Sequence, residues 1–169
     1  MSALTTRTPL LWLFATSETV RREVRWTDPL VQVIGDDHFR MMEPWSYDWI
    51  HGKVLNRITV AQGFEFDGAS IPTLARPIIG GPWALGLGPP ALHDWFYAWE
   101  GRLPEMSHTV LTFNGWVDAL EPVGGGDRLV WSREDADRMF GRQMREWGVP
   151  RWKRRAAYRA VRLAVWKNW

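Results

Sequence analysis

The sequence contains no cysteine among its 169 residues. Disulfide bonds, thiolate metal ligands and a cysteine nucleophile are therefore all excluded. Any catalytic or metal-binding chemistry must come from the nitrogen and oxygen groups of other side chains.

Long hydrophobic runs are also missing. The longest candidate, Ile78 to Leu92, is interrupted by glycine and proline, and a membrane-spanning helix needs about 20 apolar residues. The first apolar run, Pro9 to Ala15, is short and carries only Arg7 before it. We therefore expect neither a membrane span nor a secretory signal.

A strong charge of one sign is absent as well, because the formal net charge is only +2 at pH 7. Such a small excess gives little support for a nucleic-acid partner, and we expect none. With 46% hydrophobic and 24% charged residues the chain is globular, and its length suits one domain over residues 1–169.

Tryptophan, in contrast, is abundant, with 13 copies. Each indole can bury a large area but needs a partner for its N–H group. We therefore expect several tryptophans to be half exposed, as in an interface or a binding face.

Residues 9–66 read mainly as strands, after a polar and mobile lead-in at residues 1–8. The runs LLWLF, TVRREVRW, LVQVI and KVLNRITV favour four or so strands of one antiparallel sheet. The aromatic piece FRMMEPWSYDWIHG, which lies between these runs, is interpreted as a loop packed by its own side chains.

The stretch GFEFDGASIP then alternates Phe64 and Phe66 with polar residues, which predicts a short strand. The strand ends at the turn Asp67-Gly68, where Ser70 can bond the turn backbone. The next stretch, from Ala75 to Gly88, reads as an irregular loop over the site.

Residues 89–169 read mainly as helices. Pro89-Pro90 suits the first turn of a helix that ends at Trp99 before Gly101, with Leu92, Trp95, Phe96 and Trp99 on its buried side. This helix carries His93-Asp94. Residues 102–128 have mixed periodicity and give no clear prediction.

Two more helices follow, at residues 132–147 and 150–166. Ser132 and Asp135 resemble a capping box at the start of the first, and Asp137 shares the side of Phe140 and Met144. In the second, Trp152, Ala156, Ala160 and Leu163 are predicted to face the core. The arginines at positions 151, 155, 159 and 162 form a stripe on its other side. The predicted fold class is α+β, an N-terminal antiparallel sheet packed against about three C-terminal helices.

The strongest candidate site combines Asp67, His93, Asp94 and Asp137. Nitrogen and oxygen ligands of this kind suit a divalent metal such as zinc, held by His93, Asp67 and Asp137, which would activate water. Without metal, His93 oriented by a carboxylate can act as a general base. The structural alternative is that His93 or the Trp95 N–H bonds Asp137 and locks two helices together.

Two further features are candidate binding elements. Ser70 is not in a nucleophile-elbow sequence, and a turn-stabilising hydroxyl is its simpler role. Arg155 and Arg159 in the arginine stripe can bind phosphate or an acidic partner, and a solvated outer helix face explains the same stripe.

The motifs GFEFDGASIP, ALHDWFY and EDADRMF, with the closing GVPRW and AYRAVR, together resemble the domain of unknown function 1353 family. The resemblance runs from about Ile58 to Val165. That family is common in phages and prophages and has no settled activity. The resemblance therefore implies a phage-type origin and a shared site without naming a reaction.

Two functional hypotheses follow from these observations. The first is a phage-encoded hydrolase, metal-dependent or not, that acts on cell-wall peptide or glycan with His93, Asp67, Asp94 and Asp137 as its catalytic residues. The second is a structural or assembly component of the phage particle, in the tail or tail tip. It would contact other phage proteins through its tryptophans. The protein would then reside in the host cytoplasm or in the assembled virion.

Overall fold

The structure, a computed structural model, describes residues 27–68, 80–81, 83–119 and 130–163. Within these residues the chain forms seven β-strands and three α-helices. The strands are β1 (Val31–Val33), β2 (His38–Met41), β3 (Trp45–His51), β4 (Val54–Val60), β5 (Glu65–Asp67), β6 (His108–Thr112) and β7 (Gly115–Asp118). The helices are α1 (Gly88–Ala98), α2 (Arg133–Glu146) and α3 (Arg151–Leu163). The predicted α+β class is confirmed, whereas the strands expected in LLWLF and TVRREVRW lie outside the described residues.

The strands form two antiparallel sheets, where the sequence suggested one. The first sheet has the order β1-β2-β5 and the second the order β3-β4-β6-β7. The chain passes from one sheet to the other between Met41 and Trp45, across Pro44. Proline has no N–H to give a ladder, so it suits a point where pairing stops.

The aromatic piece FRMMEPWSYDWIHG was wrongly interpreted as a loop, because it forms β2 and β3. Trp45, Tyr47 and Trp49 are buried and alternate with more exposed residues. This period of two is that of a strand with one face on the core. Large aromatic side chains concealed the pattern, since the intervening residues include Ile50 and are not uniformly polar.

Residues 108–118 form a hairpin that the sequence did not predict. Strand β6 lies between β4 and β7 in the second sheet, so this part of the chain is integral to the fold. The hairpin turns at Phe113-Asn114, and Gly115, which pairs with Thr112 after the turn, has a φ of 101°. Glycine adopts such a positive φ without steric cost.

Helix α1 begins with two prolines, as predicted, and ends at Ala98. The backbone N–H of Gly101, at a φ of 72°, closes the helix by donating to the carbonyl of Phe96 at 3.0 Å. Trp99 was wrongly placed on the buried side, because it follows the last helical residue and is 44% exposed.

Helix α2 starts at the predicted cap. The Ser132 hydroxyl accepts from the backbone N–H of Asp135. In α3 the predicted core face is shifted, because Trp152 is exposed and Ala157 is buried. Gly141 of α2 lies close to the ring of Tyr158, so the two helices approach along a line that favours small residues.

The main core combines residues of both sheets with α1 and α2. Tryptophan N–H groups find partners at its margins: those of Trp45 and Trp147 donate to the Thr27 carbonyl and to Asp28, both at 2.7 Å. Trp83, Trp99 and Trp152 are exposed, in line with the expectation that several tryptophans are. Among the described residues, no helix is long and apolar enough to cross a membrane.

Candidate functional site

Helix α1 lies between β5 and α2 and sends polar side chains toward both. His93 and Tyr97 are four residues apart, so they share the helix face that packs on α2. Asp94 is turned about a quarter of the way round the helix, toward Asp67 at the end of β5. One helical turn thus links polar groups of three separate elements.

His93 is hydrogen-bonded to Asp137 of α2. Its Nε2 lies 3.0 Å from Oδ1 of Asp137, and its Nδ1 lies 3.7 Å from Oδ1 of Asp94. Burial alone would lower the pKa of His93, but the hydrogen bonds to Asp137 and Asp94 outweigh it and raise that pKa. The imidazole therefore lies between two carboxyl groups that favour its charged form.

Asp137 is fully buried and fully occupied by donors. Besides His93, its Oδ1 accepts from the Tyr97 hydroxyl at 2.9 Å, and its Oδ2 lies 3.3 Å from Nη1 of Arg162. Burial raises the pKa of Asp137, but the bonds from His93 and Tyr97 lower it by more, so the group stays ionised. Arg133 completes the network by donating to the Tyr97 hydroxyl at 2.9 Å.

Asp94 differs from Asp137 in its protonation. Burial and the neighbouring Asp67 raise the pKa of Asp94 to about 6, although His93 acts in the opposite direction. The Asp67 carboxyl is near enough to raise the pKa of Asp94. Two neighbouring carboxyl groups cannot both ionise easily, so below about pH 6 they hold a proton between them.

The cluster balances its charges and keeps part of its surface in reach of water. Its carboxyl groups are Asp67, Asp94 and Asp137, and its basic groups are His93, Arg133 and Arg162. The Asp94 side chain is 18% exposed, and Asp67 is partly buried. The Asp67–Asp94 end can therefore meet a ligand, whereas His93 and Asp137 are sequestered.

The described residues give the predicted metal site no support. Among the described residues, no group of three or more histidine, aspartate or glutamate side chains is placed to hold a metal ion. Both ring nitrogens of His93 face carboxyl groups, which favour the protonated imidazole over a metal-binding one. Arg162 at 3.3 Å from Asp137 would also repel a divalent cation there.

The structure brings together Asp67, His93, Asp94 and Asp137, as the sequence suggested. The helix-locking hydrogen bond comes from His93, while the Trp95 N–H donates to Ser107 at 2.8 Å instead. Ser70 and most of the loop from Ala75 lie outside the described residues. Arg155 and Arg159 are exposed on α3.

Three members of the cluster were not predicted to belong to it. Tyr97 follows His93 by four residues and Arg133 precedes Asp137 by four, so helical spacing could have identified both. Arg162 was assigned to the outer arginine stripe, yet its guanidinium turns back onto Asp137. Only the packing of α3 on α2 reveals that contact.

The family model for a protein of unknown function, DUF1353, matches residues 39–161. The chain belongs to this family. The match covers every member of the cluster except Arg162, and it starts nearer the N-terminus than the resemblance in the motifs suggested. No curated protein matches the chain significantly, and no solved structure does either.

Proposed function

We propose that the protein is a hydrolase in which Asp67 and Asp94 act as a general acid–base pair. The observation that supports this most is the proximity of their carboxyl groups, which raises the pKa of Asp94, at the partly exposed end of an otherwise buried cluster. Hydrolysis of amide bonds can use two neighbouring carboxyl groups, one protonated and one ionised.

The roles of the two groups follow from their surroundings. Asp94, whose pKa is raised to about 6, carries a proton below about pH 6 and donates it to the leaving group. Asp67, at the end of β5, takes a proton from the attacking water. His93 and Asp137 are then positioning residues, since the buried imidazolium fixes Asp94 without touching substrate.

In this proposal Asp67 and Asp94, and not His93, transfer the protons. Carboxyl groups lie on both sides of the His93 imidazole and raise its pKa, and the Nε2 atom is already hydrogen-bonded to Asp137, so His93 is a poor general base. A carboxyl group with a pKa near the working pH is better suited to the task. No step of the proposed reaction needs a metal ion.

The substrate we propose is bacterial cell-wall material, either its peptide or its glycan. The support is indirect and comes from the phage-type origin that the family resemblance implies. A phage-encoded hydrolase of this kind would act from the host cytoplasm or from the particle.

The test uses purified protein and isolated cell-wall sacculi. New reducing ends report cleavage of glycan, and new free amines report cleavage of peptide. We expect Asp94→Asn and Asp67→Asn each to lower the rate at least about 100-fold, the range of general acid–base catalysis. Asp36→Asn, in an exposed turn, is the matched control and should retain full activity. A wild-type protein that releases neither product would refute the proposal.

A second candidate is a component of the phage particle that binds other phage proteins. The β6–β7 hairpin supports it, because Phe113 at its tip is fully exposed and Leu111 and Val117 are 44% and 39% exposed. Strand β7 also ends the second sheet among the described strands, which leaves an edge for pairing. Mass spectrometry of purified particles tests this candidate, and absence of the protein from them would exclude it.

A further inference from the structure

Helix α3 presents a row of arginines to the outside of the molecule. Arg151, Arg155 and Arg159 recur every four residues, and all three are exposed. A rise of about 1.5 Å per residue places each one about 6 Å beyond the last, so the three span about 12 Å. We call these three members of the predicted stripe the arginine row.

The arginine row lacks the acidic partners that arginines have elsewhere in the structure. Arg57 and Arg138, for example, each lie 2.7 Å from a carboxylate oxygen. Among the described residues, no carboxylate pairs with an arginine of the row. Three guanidinium groups therefore keep donors available for a partner outside the chain.

This arrangement of charge is unfavourable for the helix itself. The first turn of α3 contains Arg151, Lys153 and Arg154 and no acidic residue, although the N-terminal end of a helix is its positive end. Like charges four residues apart also repel each other. Departures from the usual local pattern are typical of functional surfaces, so a binding partner is the expected source of the missing negative charge.

The small net charge of the chain conceals this local concentration. The whole chain carries +2, whereas the described residues of α3 include six basic side chains and no acidic one. The expectation of no nucleic-acid partner rests on the net charge. A partner at the surface responds instead to charges within about 10 Å, the Debye length at 0.1 M salt.

An exposed indole borders the arginine row. Trp152 is 54% exposed and lies three residues before Arg155 and seven before Arg159, so these side chains share one side of the helix. Lys153 adds a further positive charge, with its Nζ 5.5 Å from the centroid of the Trp152 ring. Single-stranded nucleic acids bind to surfaces of this kind, because cations contact the phosphates and bases stack on the aromatic ring.

An anionic membrane fits this surface less well. Ala157, on the other side of α3, is buried against residues of α2, and Ala156 and Val161 pack on the same cluster. A helix that lies in a membrane surface inserts its apolar side between the lipids. In α3 that side is already used for packing on α2.

We propose that the exposed face of α3 binds a single-stranded nucleic acid, whose phosphates contact the arginine row and one of whose bases stacks on Trp152. Each guanidinium can hold a phosphate through two parallel N–H donors. This role goes beyond the proposed hydrolysis. Arg162, the α3 arginine that contacts Asp137 of the acid cluster, is not part of the row.

Fluorescence anisotropy tests the proposal by titrating the full chain into a labelled oligothymidylate of about 16 nucleotides. We expect saturable binding whose affinity falls as salt is added. The slope of log affinity against log salt concentration should be about −2, because three phosphate contacts contribute about −0.7 each. A duplex of the same length, polyglutamate and phosphatidylserine vesicles serve as competitors, and each should displace the label less effectively than unlabelled oligothymidylate.

Three variants separate the ionic contacts from stacking. Arg155→Gln should weaken binding and bring the salt slope closer to zero by about 0.7, because one phosphate contact is lost. Trp152→Ala should weaken binding at least about fivefold and leave the slope unchanged, since stacking is not ionic. Arg40→Gln, an exposed arginine of β2 that pairs with Glu65, is the matched control and should change neither. All three positions are on the surface, so the variants should melt close to wild type.

Several outcomes would overturn the proposal. They are no saturable binding at low salt, an affinity that does not depend on salt, or equal effects of Arg155→Gln and Arg40→Gln. More effective displacement by the duplex, by polyglutamate or by the vesicles would also overturn it, since it would assign the face to another kind of polyanion.

Discussion

His93 and Asp137 join α1 to α2 through a 3.0 Å hydrogen bond between a buried imidazolium and a buried carboxylate. The pair is satisfied on all sides, by Tyr97 and Arg162 at the carboxylate and by Asp94 at the second ring nitrogen. Buried ions are tolerated only when they are paired in this way. The pair therefore supports the two helices and presents Asp94 to the outside.

Removal of Asp137 should be severely destabilising. Asp137→Ala leaves the His93 cation buried without its main partner, and breaking a buried ion pair costs about 3–5 kcal/mol. Urea denaturation measures the loss. Glu134→Gln, which removes an exposed ion pair on the same helix, is the control and should cost at most about 0.5 kcal/mol. If Asp137→Ala lowered the free energy of unfolding as little as the control does, the claim that Asp137 forms a buried ion pair with His93 would be contradicted.

The stability of the protein should show a specific pH dependence due to Asp94. Its folded-state pKa is about 6 against an ordinary 3.8, so between pH 4 and pH 6 the folded state binds more protons than the unfolded state. Stability from this group is complete at about pH 4 and falls as pH rises through about 6. The shift corresponds to about 2–3 kcal/mol at most.

Asp94→Asn should remove this dependence, because an amide does not titrate. Relative to wild type, the variant should gain stability between pH 4 and pH 6, as measured by urea denaturation at several pH values. His93, whose pKa is raised, changes the stability only above this pH window, because its stabilising contribution is lost as pH rises through that pKa. Asp137, whose pKa is lowered, changes the stability only below the window, because its stabilising contribution is lost as pH falls through that pKa. A constant difference between variant and wild type across the window would contradict the shifted pKa.

Gly88, at the start of α1, should not tolerate a side chain. A Cβ there would lie 2.7 Å from the Trp147 ring and 3.0 Å from the Trp45 ring, both packed on the core. Such overpacking costs about 1–3 kcal/mol, so Gly88→Ala should lower the melting temperature by several degrees.

Gly81→Ala is the control for this substitution. Nothing lies within 4 Å of a Cβ at Gly81, and its φ is not positive. The control should be neutral or slightly stabilising, through the reduced entropy of the unfolded chain. Equal melting temperatures for the two variants would show that the rings move aside freely.

Part of the fold follows from local sequence signals. The prolines before α1, the cap at Ser132 and the alternation of Phe64 with Phe66 each act within a few residues, and each was correctly interpreted. Strand β3 was missed because its alternation is carried by tryptophan and tyrosine, whose size obscures a two-residue period. Division of the strands into two sheets depends on pairings such as His38 with Asp67, far apart in sequence, which no local pattern encodes.

The members of the candidate site were predictable from local sequence signals, whereas their arrangement was not. Carboxylates and a histidine within apolar segments mark Asp67, His93, Asp94 and Asp137 as polar groups that need partners. Their mutual arrangement was not predictable, since it requires α1 to lie between β5 and α2. That arrangement places a carboxyl group beside each ring nitrogen of His93 and raises its pKa, which disfavours the metal-ligand and general-base roles that the residue type alone suggested.

Carbon-13 NMR of the Asp94 carboxyl group measures most directly whether Asp67 and Asp94 share a proton. The pair predicts a titration midpoint of about 6 for Asp94, and a lower midpoint once Asp67→Asn removes the neighbouring charge. A midpoint near about 3.9, the ordinary value for an aspartate, and no response to Asp67→Asn would contradict the pair and the acid–base function proposed from it.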